Sequence, residues 1–348
     1  MNALYEIIQN LTSYSGVSGF ESMSFQTLCP YIKSLNLFDE TGTTPVGSFY
    51  GIIRCGKENA PMLLLDAHLD TVGFVVTELC DGGFLRVAPV GGIAPKILPS
   101  SIVNIYGKKT IKGVFASKPP HLQSAGESEQ KMDIADLSID TGLPLEELKD
   151  IVRIGTPVGF PCELQKMLND NLAGASFDDR LCGAIILRAL QTIDKSQLNY
   201  DIAFQFSGNE ETGYKGAMTT AYRLNPEKAI VIDVTHANVP GAPDVFKDIH
   251  AGKGSVITLS PQTNRAFTKQ VISIAENNGI PYQLSAFPIR TGTNSNAVQT
   301  TRNGIPVCLI SVPLKNMHTM SEVVNLNDAL NTAKLIAAVI NQKEQSND

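Results

Sequence analysis

Two histidines and a set of carboxylates carry the chemistry that is most legible in this sequence. His68 and Asp70 lie in Asp66-Ala-His68-Leu-Asp70, and Asp178 and Asp179 lie in Phe177-Asp-Asp-Arg180. Glu210 and Glu211 follow Gly208-Asn209, Asp233 follows Ala229-Ile-Val-Ile232, and His318 follows Met317. Imidazole and carboxylate are the donors that zinc and similar ions take, and acids gathered in one place repel unless cations neutralise them. A pair of divalent metals meets both conditions. One aspartate of the 178–179 pair would bridge the ions, His68 and Asp233 completing the first and Glu211 and His318 the second. Each ion would keep a position open for a shared water, as catalytic sites do. Two dications are then balanced by three carboxylates and a bridging hydroxide. Such ions bring the pKa of bound water towards about 7 and polarise a carbonyl, so amide hydrolysis at neutral pH is the expected reaction. Glu210 projects differently from its neighbour Glu211 and is the candidate to take the water's proton and pass it to the leaving amine. Asp70, two residues beyond His68, is placed to hold the second imidazole nitrogen.

Taken singly, each residue has an ordinary structural role. Asp178 or Asp179 could cap a helix, Glu210 and Glu211 could occupy the first turn of a helix near Tyr214, and Asp233 could close a turn. Their shared position distinguishes them, because four of the groups follow apolar runs of strand length and the fifth, Phe177-Asp-Asp-Arg180, opens the helix at Leu181. These runs are Pro61–Leu65, Ile202–Phe206, Ala229–Ile232 and Ile305–Val312, and none alternates, so each is expected to be buried on both faces. Helical spacing recurs over Leu181–Leu190, Tyr214–Leu224, Phe267–Asn277 and Asn327–Gln342. The pattern predicts an α/β fold, a doubly wound and mostly parallel sheet with helices on both faces. In such sheets ligands bind beyond the carboxyl ends of the strands. Between Val72 and Phe160 short β-like runs broken by Gly82-Gly83, Gly91-Gly92 and Pro119-Pro120 predict an inserted β-rich domain. The expected division is 1–71 with 161–348 for the catalytic domain and 72–160 for the insertion. Its acidic helix, Pro144–Lys149, reads as a solvated face.

Composition excludes several classes. The chain has 348 residues, 28 Lys and Arg against 34 Asp and Glu, and a net charge of -6. With no basic block it lacks the means to release counterions from nucleic acid. It has no run of 18 apolar residues, so no bilayer-spanning helix and no membrane partner are expected. The N-terminal Met1–Asn10 reads as an amphipathic helix rather than a signal segment. Six scattered cysteines without a Cys-x-x-Cys pair suit a reducing cytoplasm. There is no Walker loop and no Gly-x-Ser-x-Gly elbow, and Gly252-Lys-Gly254 has Ile257 where a dinucleotide site needs glycine. His121, His236 and His250 have no acidic partner in the pattern and read as structural or surface residues.

In this order the motifs are specific. Ser15-Gly-Val-Ser-Gly-Phe-Glu21, His68-Leu-Asp70 with Gly73, Phe177-Asp-Asp-Arg180 with Gly183, Glu210-Glu211 with Gly213, Asp233-Val-Thr235, Gly292-Thr293, and His318 with Glu322 span nearly the whole chain. Together they resemble the tetrahedral (TET) aminopeptidases, a family that includes bacterial glutamyl aminopeptidases. The resemblance implies a two-metal exopeptidase, with zinc or cobalt the expected ions. His68, Asp178, Glu211, Asp233 and His318 would bind metal, Glu210 would be the general acid and base, and Asp70 would support His68. It selects Asp178 over Asp179 and implies a cis peptide between them. It also implies a PDZ-like β-barrel insertion that makes dimers, which in many members build a dodecamer, and short peptides as substrates. The chain departs from the pattern at Thr71, where many relatives are acidic, and at Asn294, where they carry Asp. The competing expectations are a catalytically silent scaffold, or a deacylase, carboxypeptidase or glycosidase on the same fold. Most glycosidases, however, need a carboxylate pair and no metal.

Overall fold

The computed structural model describes residues 1–117, 132–288 and 290–342; Pro119, Pro120 and His121 lie outside the described residues. Four strands form the centre of an 11-stranded sheet, Asp201–Ser207, Met62–His68, Lys228–His236 and Val307–Lys315, adjacent in that order and parallel. Register places Ser207 beside His68 and Asp233 beside Ser311, so these strands end at a common edge. Successive side chains point to opposite faces of a strand. Leu63, Leu65, Ile230, Ile232, Phe204 and Ile310 therefore enter one core, and Leu64, Ala203, Val231 and Leu309 enter the other. The larger core is covered by the helices Asn2–Thr12, Phe177–Leu190, Arg265–Asn277 and Leu326–Ile340. Lys215–Leu224 and Ser295–Val298 cover the other face. With both faces apolar, the central strands lose the polar alternation of a half-exposed sheet.

The sheet as a whole is mixed, which corrects the expectation of a mostly parallel one. Phe49–Ile53 pairs antiparallel with Asp201–Ser207, and Glu40–Thr43 pairs antiparallel with Phe49–Ile53. On the far side, Glu322–Asn325 and Ser255–Leu259 both run antiparallel to Val307–Lys315, and Asn171–Gly174 continues the sheet antiparallel to Glu322–Asn325. Chain length between partners explains two of these pairings, Glu40–Thr43 with Phe49–Ile53 and Val307–Lys315 with Glu322–Asn325. Parallel neighbours need a crossover of a dozen or more residues, whereas residues 44–48 and 316–321 allow only a reversal.

In the insertion, Gly73–Cys80, Phe84–Val90, Ile102–Tyr106, Thr110–Phe115, Ile139–Asp140 and Pro157–Gly159 close into a barrel. Its core is separate from the others and includes Phe74, Val87, Ile105, Phe115 and Val158, with the Phe74 and Phe115 rings edge to face at 5.1 Å. The helix Leu145–Ile151 buries Leu148 on this core and leaves Glu146 and Glu147 exposed, as a solvated acidic face should. Among the described residues no helix is long and apolar enough to cross a membrane.

Arg180 ties the sheet to the N-terminal segment. Its buried guanidinium donates to the carbonyls of Leu69 and Leu11, at 3.1 and 3.0 Å, and to that of Tyr14. Gly16 lies against it, and a Cβ at Gly16 would occupy the space of the guanidinium, so the glycine is required by close approach.

Candidate metal and catalytic site

Beyond the carboxyl ends of the parallel strands, the chain brings together all seven residues singled out by spacing. His68 is the last residue of its strand. Its Nε2 lies 2.9 Å from Asp178 Oδ1, and its Nδ1 lies 2.8 Å from the carbonyl oxygen of Asp70. His318 lies in the loop 316–321, with Nε2 3.2 Å from Asp178 Oδ2 and 3.3 Å from Glu211 Oε1. Its Nδ1 is 2.6 Å from the carbonyl of Gly92, which follows a barrel strand. A carbonyl only accepts, so in both rings Nδ1 donates, and Nε2 is the nitrogen whose lone pair a neutral imidazole would offer to a cation held between it and the carboxylates. His68, Asp178 and Asp233 form one group of converging ligand atoms, and Asp178, Glu211 and His318 form another; within each, the atoms lie within 4.8 Å of one another.

Asp178 and Asp179 open the helix Phe177–Leu190, but neither has helical dihedrals and the peptide between them is cis. Asp178 turns its carboxylate to both imidazoles, while Asp179 accepts the His68 backbone N–H at 3.1 Å. Glu210 and Glu211 precede the helix Lys215–Leu224 rather than filling its first turn. Asp233 lies within its strand and accepts the N–H of Val234.

Asp70 acts differently from the expectation. Its carboxylate is 3.7 Å from His68 Nδ1, and its own backbone carbonyl holds that nitrogen instead. The carboxylate accepts the backbone N–H groups of Glu210 and Glu211, at 2.9 and 3.1 Å, and so fixes where both side chains begin. Spacing alone could not reveal this, because the Glu210 loop reaches Asp70 only through sheet pairing. Asp70→Asn turns one of these acceptor oxygens into a donor facing an N–H. Activity should fall by about 10–100-fold, the usual effect of a residue that supports ligands. A kcat/KM within twofold of the parent in a folded variant would contradict this role.

The motif contained Glu322, but sequence reasoning gave it no role. It is buried and accepts the N–H of Phe177 at 2.7 Å, of Asp178 at 3.3 Å and of His318 at 2.9 Å, joining the two halves of the ligand set. His236 and His250, read as structural or surface residues, are both exposed; His236 also lines the cavity at the cluster, and the backbone of His250 pairs with Gln283. The departures from the family pattern form ordinary contacts: Thr71 donates its N–H to the Gly16 carbonyl, and Asn294 donates to Ser207 Oγ.

The donor set fits divalent ions. Burial, with Asp178 nearby, raises Asp233 to about 8, and burial with neighbouring carboxylates raises Glu210 and Glu211 above the usual range. Burial disfavours the charged imidazoles, but hydrogen bonds to Asp178 and nearby carboxylates outweigh it, lifting His68 well above 6.5 and His318 to about 11. A buried cluster that draws in positive charge this strongly suits cations, and two imidazoles with three carboxylates suit zinc or cobalt.

The same architecture occurs in known proteins. A TET aminopeptidase from a marine-sediment Thaumarchaeota archaeon superposes with a TM-score of 0.90 at 27% identity, covering 98% of this chain and 96% of that one. The TET1 peptidase of Pyrococcus horikoshii, which can assemble into a tetrahedron or a large octahedral shell, gives a TM-score of 0.83 at 27% identity over 97% and 99% of the two chains. Fold and sequence therefore define a peptide hydrolase of the aminopeptidase class. The chain belongs to the M42 glutamyl aminopeptidase family, whose profile matches residues 47–335. It is 29% identical to the lysyl aminopeptidase of Pyrococcus furiosus over 97% of both chains.

Proposed function

We propose that the chain is a dinuclear metal-dependent aminopeptidase that removes N-terminal residues from short peptides. The observation that carries this reading is the pair of imidazoles whose Nδ1 atoms are committed to carbonyls and whose Nε2 atoms meet the two oxygens of Asp178. His68, Asp178 and Asp233 would hold one ion, and Asp178, Glu211 and His318 the other. When bound, the ions supply acidification of water and polarisation of the scissile carbonyl.

The remaining steps belong to side chains of this protein. Glu210 lines the same cavity and is buried, and burial raises its pKa above the usual carboxylate range, which favours proton uptake. It removes a proton from the attacking water. As the amide C–N bond breaks, it delivers that proton to the leaving nitrogen. Asp70 keeps Glu210 and Glu211 in place through their N–H groups, and Glu322 does the same for Asp178 and His318.

The division into 1–71 with 161–348 and a PDZ-like insertion over 72–160 is part of the same reading, supported by the separate barrel core. We assign dimer formation to the insertion and expect larger shells, as in the P. horikoshii relative. Six free cysteines support a cytoplasmic setting.

A free α-amino group is central to this reading. Metal-loaded protein should cleave a tripeptide with a free amino terminus at least about 100-fold faster than its N-acetylated form, the discrimination expected when a site built for a polar group loses it. Equal rates would show a deacylase or endopeptidase, and no cleavage of either would show a silent scaffold.

A further inference from the structure

The ligand cluster forms one side of a cavity of about 290 Å³, so a group bound at the cluster extends directly into it. Its wall beyond the cluster is apolar where it is bulky: Val234, Phe246, Phe287, Leu309 and Met317. The Phe246 ring meets His236 edge-on at 4.9 Å and Phe287 at 6.0 Å, giving one continuous aromatic wall. His236 is exposed at the rim of this wall, and partial burial with His318 nearby shifts its pKa below the ordinary value.

Three of the threonines on this wall pair their hydroxyls with neighbouring hydroxyls. Thr291 lies 3.1 Å from Thr293 and 2.8 Å from Ser295, and Thr258 lies 3.0 Å from Ser285. Among the described lining residues no lysine or arginine occurs, and every carboxylate is one already assigned to metal or proton chemistry. Arg290 adjoins Thr291 but is exposed and does not line the cavity.

From this wall we infer that the enzyme prefers substrates whose N-terminal side chain is uncharged and apolar, of the size of leucine, methionine or phenylalanine. The inference rests on the aminopeptidase reading. A glutamate or lysine side chain entering the cavity would lose water and gain no opposite charge, which is costly, whereas an apolar side chain gains from leaving water. This separates the chain from the charged preferences in the names of its family and its P. furiosus relative.

The test is a comparison of kcat/KM for leucyl, methionyl, phenylalanyl, alanyl, glutamyl and lysyl p-nitroanilides. A parallel calorimetric titration with free leucine, glutamate and lysine reads binding without turnover. We expect the leucyl or methionyl substrate to exceed the glutamyl and lysyl substrates by at least about tenfold, with leucine the tightest amino acid. Phe246→Ala should lower the leucyl value by about tenfold and the alanyl value by less than about threefold, the scale of pocket discrimination for small apolar groups. Arg290→Ala should leave the leucyl-to-glutamyl ratio unchanged. A glutamyl or lysyl substrate at least as fast as the leucyl one overturns the inference while the aminopeptidase reading stands; a glutamyl preference abolished by Arg290→Ala would trace the error to that residue. Failure to cleave any free aminoacyl substrate overturns both.

Discussion

Glu210→Gln should reduce kcat by about 10²–10⁴-fold, the usual contribution of a positioned general base, with little change in KM and no loss of bound metal. Glutamine keeps the shape of the side chain and the N–H that Asp70 holds, but it cannot take a proton. The neighbour behaves differently. Glu211 faces His318, and Glu211→Gln removes a proposed ligand, so it should release metal together with activity. Measuring kcat and metal content on the same samples separates the two roles. A Glu210→Gln enzyme within about tenfold of the parent would remove Glu210 from the chemistry.

Asp178→Asn should be still more damaging, because Asp178 alone belongs to both groups of converging ligands. Its two oxygens receive one imidazole each. Asparagine has one oxygen and one N–H₂ group, and the nitrogen cannot act as a ligand. Both ions should therefore be lost together, and activity should fall by about three orders of magnitude, equivalent to about 4 kcal/mol at the transition state. Asp233→Asn and His318→Ala each touch a single group, so each should first weaken one ion and leave the other. Metal analysis and activity on refolding-competent, monodisperse variants check this ordering. Two ions retained in Asp178→Asn would rule out the bridging role.

The fold was legible where burial is uniform. Apolar runs such as Met62–Leu65 and Ala229–Ile232 have one stable place, the centre of a sheet covered on both sides, and the helices Phe177–Leu190 and Leu326–Ile340 follow from their spacing. The direction of the outer strands was not legible. Strands as short as Glu322–Asn325 and Asn171–Gly174 carry no periodicity, and only the first has a short connection, to Val307–Lys315, that dictates an antiparallel neighbour.

The site divides in the same way. Residues placed directly after central strands, such as His68, Glu210 and Glu211, could be gathered from sequence because the strands point to one edge. Backbone groups escaped detection, since a carbonyl at Asp70 or Gly92 has no residue-type signature, and these carbonyls set both histidine tautomers. That His236 also lines the cavity was not legible, because its ring partner Phe246 comes from a later segment.

Equilibrium metal titration of chelated, dialysed protein, with bound ion and peptidase activity followed together, tests the two-ion centre most directly. We expect activity to be lost on chelation, to return with zinc or cobalt, and to reach its plateau at two ions per chain. Full activity in protein stripped of metal, or a plateau reached with no ion bound at the Asp178 cluster, would contradict the account.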